Sequence, residues 1–457
     1  VVRQGVPHAD LPLVATQVPI CNHAADAVIR NSPMLAIRHA AHLAVLASLV
    51  ASTPGLASDA NATWALKATR LYVAADARPI ENGAVFVRDG KIAAVGAGEI
   101  AIPGGTPVSE CSGGIVTAGF QNSHVHFIGE AFTNARDKSG ASLKDALTSM
   151  LTRYGYTTVV DTAAFDRDNS LALRARIESG EVPGPRILTV GLPVFPPQGI
   201  PIYLSHVPKE VRDRLPQPVT AQAAVQVVRD NVAAGADATK LFVAPPTDER
   251  GTIKRMPVAI ARAAADETHR HDQLVIAHPT DIEGVRTAIA AGVDILAHTT
   301  LGAETPWPDE VLRQFVDADM AMIPTLKLLG YELKKQQVPD DVARGLIKMT
   351  IDHFRAFVAA GGRVIFGTDV GYMTDYDPAQ EYALMADAGL SPMQILASLT
   401  TEPAKTWRES DRRGTLAMGM DADIVVLDAD PADDPRNFAR VRCAFRQGHM
   451  IYRATAD

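Results

Sequence analysis

The sequence predicts an α/β protein: a (β/α)8 barrel of the TIM type, with a small β-sandwich assembled from both chain ends. Three observations carry this expectation. Eight short apolar runs, GIVTAGF, YTTVVD, RILTVG, ATKLFV, LVIAH, DILAH, MAMIPT and RVIFGTD, alternate with helical stretches such as VTAQAAVQVVRDNVAAG and VAIARAAADETHRH. Strands that alternate with helices imply parallel strands under a cover of helices. The helical stretches stop at Gly155, Gly235, Gly292 and Gly361, each just before the next strand, where glycine accepts the left-handed conformation that ends a helix. Both ends of the chain have another texture, with short β-rich runs separated by turn signals. Eight units spread over about 290 residues fit a barrel of this type. An open doubly wound sheet is the alternative, and no glycine-rich phosphate fingerprint follows the first strand to favour it.

Taken in order, residues 1–33 show no period and read as an upstream, non-structural segment. From Met34 a stretch with Arg38 leads into the apolar LAVLASLVA and then into STPGLASDA, with Pro54-Gly55 and small residues at Ala57 and Ala60. A charged start, an apolar middle and a small-residue cleavage region describe a secretory signal peptide, assigned to 34–57. The expected mature protein therefore begins near Ser58 and is periplasmic or secreted. The apolar run is too short to span a bilayer, so no stable membrane anchor is expected. Residues 58–115 carry LYVA, AVFVR and IAAVG, with Asp89-Gly90 placed as a hairpin turn. Residues 116–402 hold the barrel, and 403–457 return to short strands with turns at Gly419 and Gly448.

At 457 residues, with 47% hydrophobic and 21% charged residues, the chain reads as globular. A formal charge of −8 and the lack of a basic cluster argue against a nucleic-acid partner. The three cysteines, Cys21, Cys111 and Cys443, form no CxxC pair. A metal here must be held by nitrogen and oxygen. Export leaves Cys111 and Cys443 free to pair, if they are close.

A barrel aims its strand ends at one centre, so the residues ending each strand matter most. In NSHVHF, His124 and His126 point the same way and Val125 points opposite. An isolated pair of this kind is more often exposed or in a core than on a metal. Here, however, strand four holds Lys240, strand five ends at His278, strand six at His298 and strand eight at Asp369. His206, His269, His271, His353 and His449 fall in loops, helices or turns and read as solvated. Lys240 lies in the apolar ATKLFV, where an unpaired ammonium costs several kcal/mol (roughly). It can become neutral, reach the barrel mouth with its stem, or add carbon dioxide to become an anionic carbamate.

These residues resemble the amidohydrolase superfamily, in its binuclear branch with a carboxylated lysine on strand four. The matching stretches are NSHVHF, GADATKLF, VIAHPT, DILAHTT and FGTDVG. GYTTVVDT, EVPGPRIL, ILASLTTEPAKTW and MDADIVVLDADP bring it near the imidazolonepropionase-like amidohydrolases and dipeptidases. The resemblance implies two divalent metal ions, zinc by default. One is held by His124, His126 and Asp369, the other by His278 and His298. N6-carboxylated Lys240 and a hydroxide bridge them. It implies a metal-dependent hydrolase that cleaves amide bonds of small molecules, dipeptides or N-acyl amino acids, with Asp369 as the catalytic proton shuttle. Esterase, lactonase or deaminase chemistry and a non-catalytic metal-binding barrel are the competing readings; homo-oligomerisation stays open. Two departures from the pattern are Ala118-Gly119-Phe120, which changes a turn, and Pro279-Thr280 after strand five. Three loops could shape the pocket or pack on the barrel rim: VFPPQGIPIYLSH, the Trp307 loop, and GYMTDYDP with Tyr372 and Tyr376.

Overall fold

The computed structural model describes residues 63–455 apart from 99, 206 and 301–306. The expected upstream segment, signal peptide and mature start near Ser58 lie outside the described residues.

The first flank forms β1 (Trp64–Leu71), β2 (Ile80–Glu81), β3 (Gly83–Arg88), β4 (Lys91–Ala97) and β5 (Gly114–Ala118). Asp89 and Gly90 turn the chain between β3 and β4 with φ of +52° and +73°, the paired left-handed residues that match a hairpin to strand twist. Next come β6 (Phe120–Val125), β7 (Tyr156–Asp161) and β8 (Arg186–Thr189), a parallel three-stranded sheet. A parallel five-stranded sheet follows, built from β9 (Ala238–Phe242), β10 (Leu274–His278), β11 (Ile295–Ala297), β12 (Ala321–Ile323) and β13 (Arg363–Val364). The chain ends in β14 (Ile424–Leu427), β15 (Val441–Arg446) and β16 (His449–Arg453). These last strands join the first flank in one eight-stranded sheet, ordered β16-β15-β14-β5-β1-β3-β4 with β2 beside β1.

The run GIVTAGF is divided differently from the expectation. Its first five residues are β5, which pairs antiparallel with β14 in the flanking sheet, and the first parallel strand is β6. Gly119 makes the crossing, because a Cβ there would overlap the Thr157 side chain. The division at 115/116 thus cuts β5, and the one at 402/403 cuts the helix Thr401–Thr406.

Hydrogen bonds link the two parallel sheets on both sides. Val194 N–H donates to the Lys240 carbonyl at 2.8 Å, and Ser123 N–H donates to the Phe366 carbonyl at 2.7 Å. Side chains alternate with the pleat. Val160, Leu188, Ala238, Ile276, Ile295, Ala321, Ile323 and Ile365, drawn from both sheets, form one buried cluster. Their chain neighbours Val159, Ile187, Val275, Leu296 and Met322 belong to the larger core with the helices. In the flank, Cys111 and Cys443 form a disulfide with Cα atoms 6.2 Å apart, inside a core that includes Leu66, Val85, Val116 and Ile424.

Candidate functional site

The six predicted residues converge. β6 aims His124 and His126 to one side, and the turn after β13 folds back along them. Asp369 N–H donates to the His124 carbonyl at 2.9 Å, and His126 N–H donates to the Val370 carbonyl at 2.9 Å. Asp369 Oδ1 then lies 2.9 Å from His126 Nε2 and 3.6 Å from His124 Nε2. Asn122 ties strand to turn: its Nδ2 donates to Thr368 Oγ1 at 2.8 Å, while its Oδ1 accepts from the N–H groups of His124 and Thr368, each at 3.2 Å. His298 completes the cluster, since ligating atoms of His124, His298 and Asp369 lie within 4.8 Å of one another. Its ring centroid is 4.7 Å from that of His124 and 4.8 Å from that of His278. In the β9–β10 register Lys240 pairs with Ile276 and Phe242 with His278, so Lys240, Phe242 and His278 share a face.

Two of these positions, and Thr325 beside them, need unusual backbone. His298, Thr325 and Asp369 have φ of +75°, +45° and +65°, a region that non-glycine residues occupy at a cost of about 1–3 kcal/mol each. Thr325 Oγ1 lies 2.7 Å from His298 Nδ1, which fixes the ring and leaves Nε2 for a ligand. Sequence reasoning assigned no role to Asn122 or Thr325. Their signals were present, two residues before His124 and at the end of MAMIPT.

Three of the imidazoles are held neutral. Burial, reinforced by the Lys240 charge, holds His124 well below the usual imidazole range and brings His278 down to about 3. Burial and the His278 charge hold His298 well below it too. Neutral imidazoles are the form that binds metal. Apart from the 2.9 Å approach of His126 Nε2 to Asp369 Oδ1, that oxygen and the Nδ1 atoms of His124 and His126 are buried without an aligned hydrogen bond among the described residues, and a dication beside the carboxylate would satisfy it. Burial lowers Lys240 to about 7, against the opposing pull of Asp369. At the end of β7, Asp161 is buried and accepts a hydrogen bond from Ser170 Oγ at 2.9 Å. The residues present fit divalent cations with nitrogen and oxygen ligands.

Comparison with known proteins gives the family and the fold. A model of the amidohydrolase family matches residues 115–451. The chain belongs to the amidohydrolase family. Ochratoxinase of Aspergillus niger is 22% identical over 404 residues, spanning 80% of this chain and 82% of its own. A solved Xaa-Pro dipeptidase with bound methionine in the active site has the same fold, with a TM-score of 0.72 at 20% identity over 86% of this chain and 100% of its own. Phenylurea hydrolase B has a TM-score of 0.70 at 21% identity over 85% of this chain and 96% of its own.

Around the centre of this amidohydrolase the other expectations divide. Trp307 is core, not pocket: it is buried, and its Nε1 donates to Thr300 Oγ1 at 3.0 Å. His353 corrects the solvated reading, because it is buried beneath Trp307, with ring centroids 5.9 Å apart. Its place on the inner face of the helix Asp340–Ala359 decides this. His269, His271 and His449 are exposed as expected, and His206 lies outside the described residues. Tyr376 packs on the core. Tyr372 donates its hydroxyl to Glu332 at 3.0 Å. Among the described residues no helix is long and apolar enough to cross a membrane.

Proposed function

We propose that this amidohydrolase cleaves amide C–N bonds of small molecules, dipeptides or N-acyl amino acids, and that it works with two divalent cations. The observation that carries this reading is the meeting of four histidines, Asp369 and a buried lysine at the ends of parallel strands. His124, His126 and Asp369 would hold one cation and His278 and His298 the other, with N6-carboxylated Lys240 serving both. Zinc suits this donor set. Bound there, the cations supply a hydroxide nucleophile near neutral pH and polarise the scissile carbonyl.

The chain's own residues do the rest. Burial leaves much of the Lys240 amine unprotonated at neutral pH, the nucleophilic form that adds carbon dioxide. Asp369 takes the proton from the attacking group at its carboxylate and returns it to the leaving nitrogen, without which an amide leaves poorly. Asn122 and Thr325 hold Asp369 and His298 in place.

The same proposal reads the two parallel sheets as one closed (β/α)8 barrel. Their hydrogen bonds on both sides and their shared inner cluster support it. The flank is read as a small β-sandwich in which β1 is shared, because it pairs with β3 along Trp64–Lys67 and with β5 beyond Ala68. The domain edges then move to Ala118 and Thr406. The Cys111–Cys443 disulfide supports export to an oxidising compartment, periplasmic or extracellular.

Metal analysis with native mass spectrometry tests the centre. Wild type should carry about two cations and a labile adduct of about 44 Da. Lys240→Ala should retain about one cation and lose most activity. Two retained cations with normal turnover would refute the shared-ligand role. A panel of dipeptides, N-acyl amino acids, lactones and aryl esters tests the reaction. Amide turnover is expected; ester-only turnover or ammonia release would overturn it.

A further inference from the structure

The four histidines differ in exposure. His124 is fully buried, His126 and His298 keep a little side-chain exposure, and His278 is half-buried. Two half-buried tyrosines stand on the His278 side of the site. Tyr203, in the turn Ile202–Leu204, has its ring centroid 6.4 Å from that of His278. Tyr372, in the loop after Asp369, meets Tyr203 edge to face at 6.0 Å. Beneath them, Phe242 lies 4.9 Å from His278 and stacks on Phe195 at 4.5 Å.

This wall is rigid and neutral. Tyr203 packs against the buried cluster of Phe195, Leu204, Leu215 and Phe242. Tyr372 is fixed by its hydrogen bond to Glu332, and Lys335 Nζ sits 5.3 Å from its ring centroid. The two charges behind the ring pair with each other, Lys335 Nζ being 3.6 Å from Glu332. Lys335 and Glu332 thus offset one another and give that ring no charge of their own with which to select a carboxylate. What the wall offers is two fixed aromatic faces and edges, which favour a planar partner beyond simple apolar burial.

We propose that Tyr203 and Tyr372 form the specificity-determining wall of the site, and that it selects amides bearing a neutral aryl or similarly planar apolar group. The substrate class rests on the amide-hydrolase reading; the binding preference does not.

Calorimetry on the metal-loaded protein separates the two. The probes are uncleaved sulfonamides in matched pairs. N-benzenesulfonylglycine against N-methanesulfonylglycine places the ring on the acyl side. Methanesulfonanilide against N-methylmethanesulfonamide places it on the nitrogen side. Wild type should bind the aryl member of at least one pair about tenfold more tightly. Tyr203→Phe should keep that ratio. Tyr203→Ala and Tyr372→Leu, checked for wild-type circular dichroism, should reduce it to about twofold or less. Equal binding within both pairs by wild type, or an unchanged ratio after removal of either ring, would overturn the wall. A clear aryl preference in a protein that hydrolyses no amide would keep the wall and sink the hydrolase reading instead.

Discussion

At Asp369 two demands meet in one side chain: a carboxylate beside His126 and His124, and a left-handed backbone that aims it there. Replacing its charge without its shape isolates the proton role. Asp369→Asn should keep the wild-type circular dichroism and lose turnover by about a thousandfold or more; an active variant would remove Asp369 as the shuttle. Thr325 is a subtler case, since it touches His298 and no expected reacting atom. Thr325→Val keeps the branched shape and deletes the hydroxyl that orients the ring. Metal affinity, measured by chelator competition, should fall about 10–100-fold. The sequence displayed the candidate ligands because a histidine or aspartate ending an apolar strand is conspicuous. Thr325 and Asn122 were not conspicuous, because threonine and asparagine are ordinary there and their roles depend on which strand end comes beside them.

The turn after β13 and the helix Leu326–Lys335 are the elements that brace the site. Gly371 has φ of +99°, and a Cβ there would overlap the His126 carbonyl oxygen, so the turn closes only with glycine. Glu381, buried on a neighbouring helix, accepts the N–H groups of Leu326 at 2.8 Å and Lys327 at 2.7 Å, capping the first turn of the helix that begins beside Thr325. Lys327 Nζ in turn donates to the carbonyls of Asp377 at 2.6 Å and Asp375 at 3.2 Å, pinning the loop that carries Tyr372. Burial raises Glu381 from 4.5 to about 7, against the opposing amides and Lys327. Between those values the folded chain keeps a proton that the unfolded chain has released. Its stabilising contribution is therefore complete below about 4.5 and is lost as pH rises through about 7. Urea midpoints at pH 5 and pH 8 should show wild type losing stability relative to Glu381→Gln as pH rises; parallel changes would disprove it. Element order and type were legible from the alternating pattern. The split of GIVTAGF into β5 and β6 was not, because an apolar run reads alike whichever sheet receives it.

For the whole molecule, the telling feature is that residues near both chain ends build one sheet, with β14 beside β5. The Cys111–Cys443 disulfide locks that pairing across a sequence separation of 332. Removing it releases a long loop in the unfolded chain, so Cys111→Ser should cost about 4 kcal/mol of stability. Denaturation of wild type and variant, with and without reductant, checks this; reductant should bring wild type down towards the variant. By itself the sequence determined the α/β class, the two β-rich flanks and the candidate site residues, because hydrophobic period, glycine stops and strand-end histidines are local signals. Only the tertiary structure decided that Cys111 meets Cys443, that Trp307 and His353 are core, that Thr325 steers His298, and that Tyr203 and Tyr372 face each other beside His278. Each of these is a contact between segments far apart in the chain, and such contacts are set by packing, which no short stretch of sequence encodes.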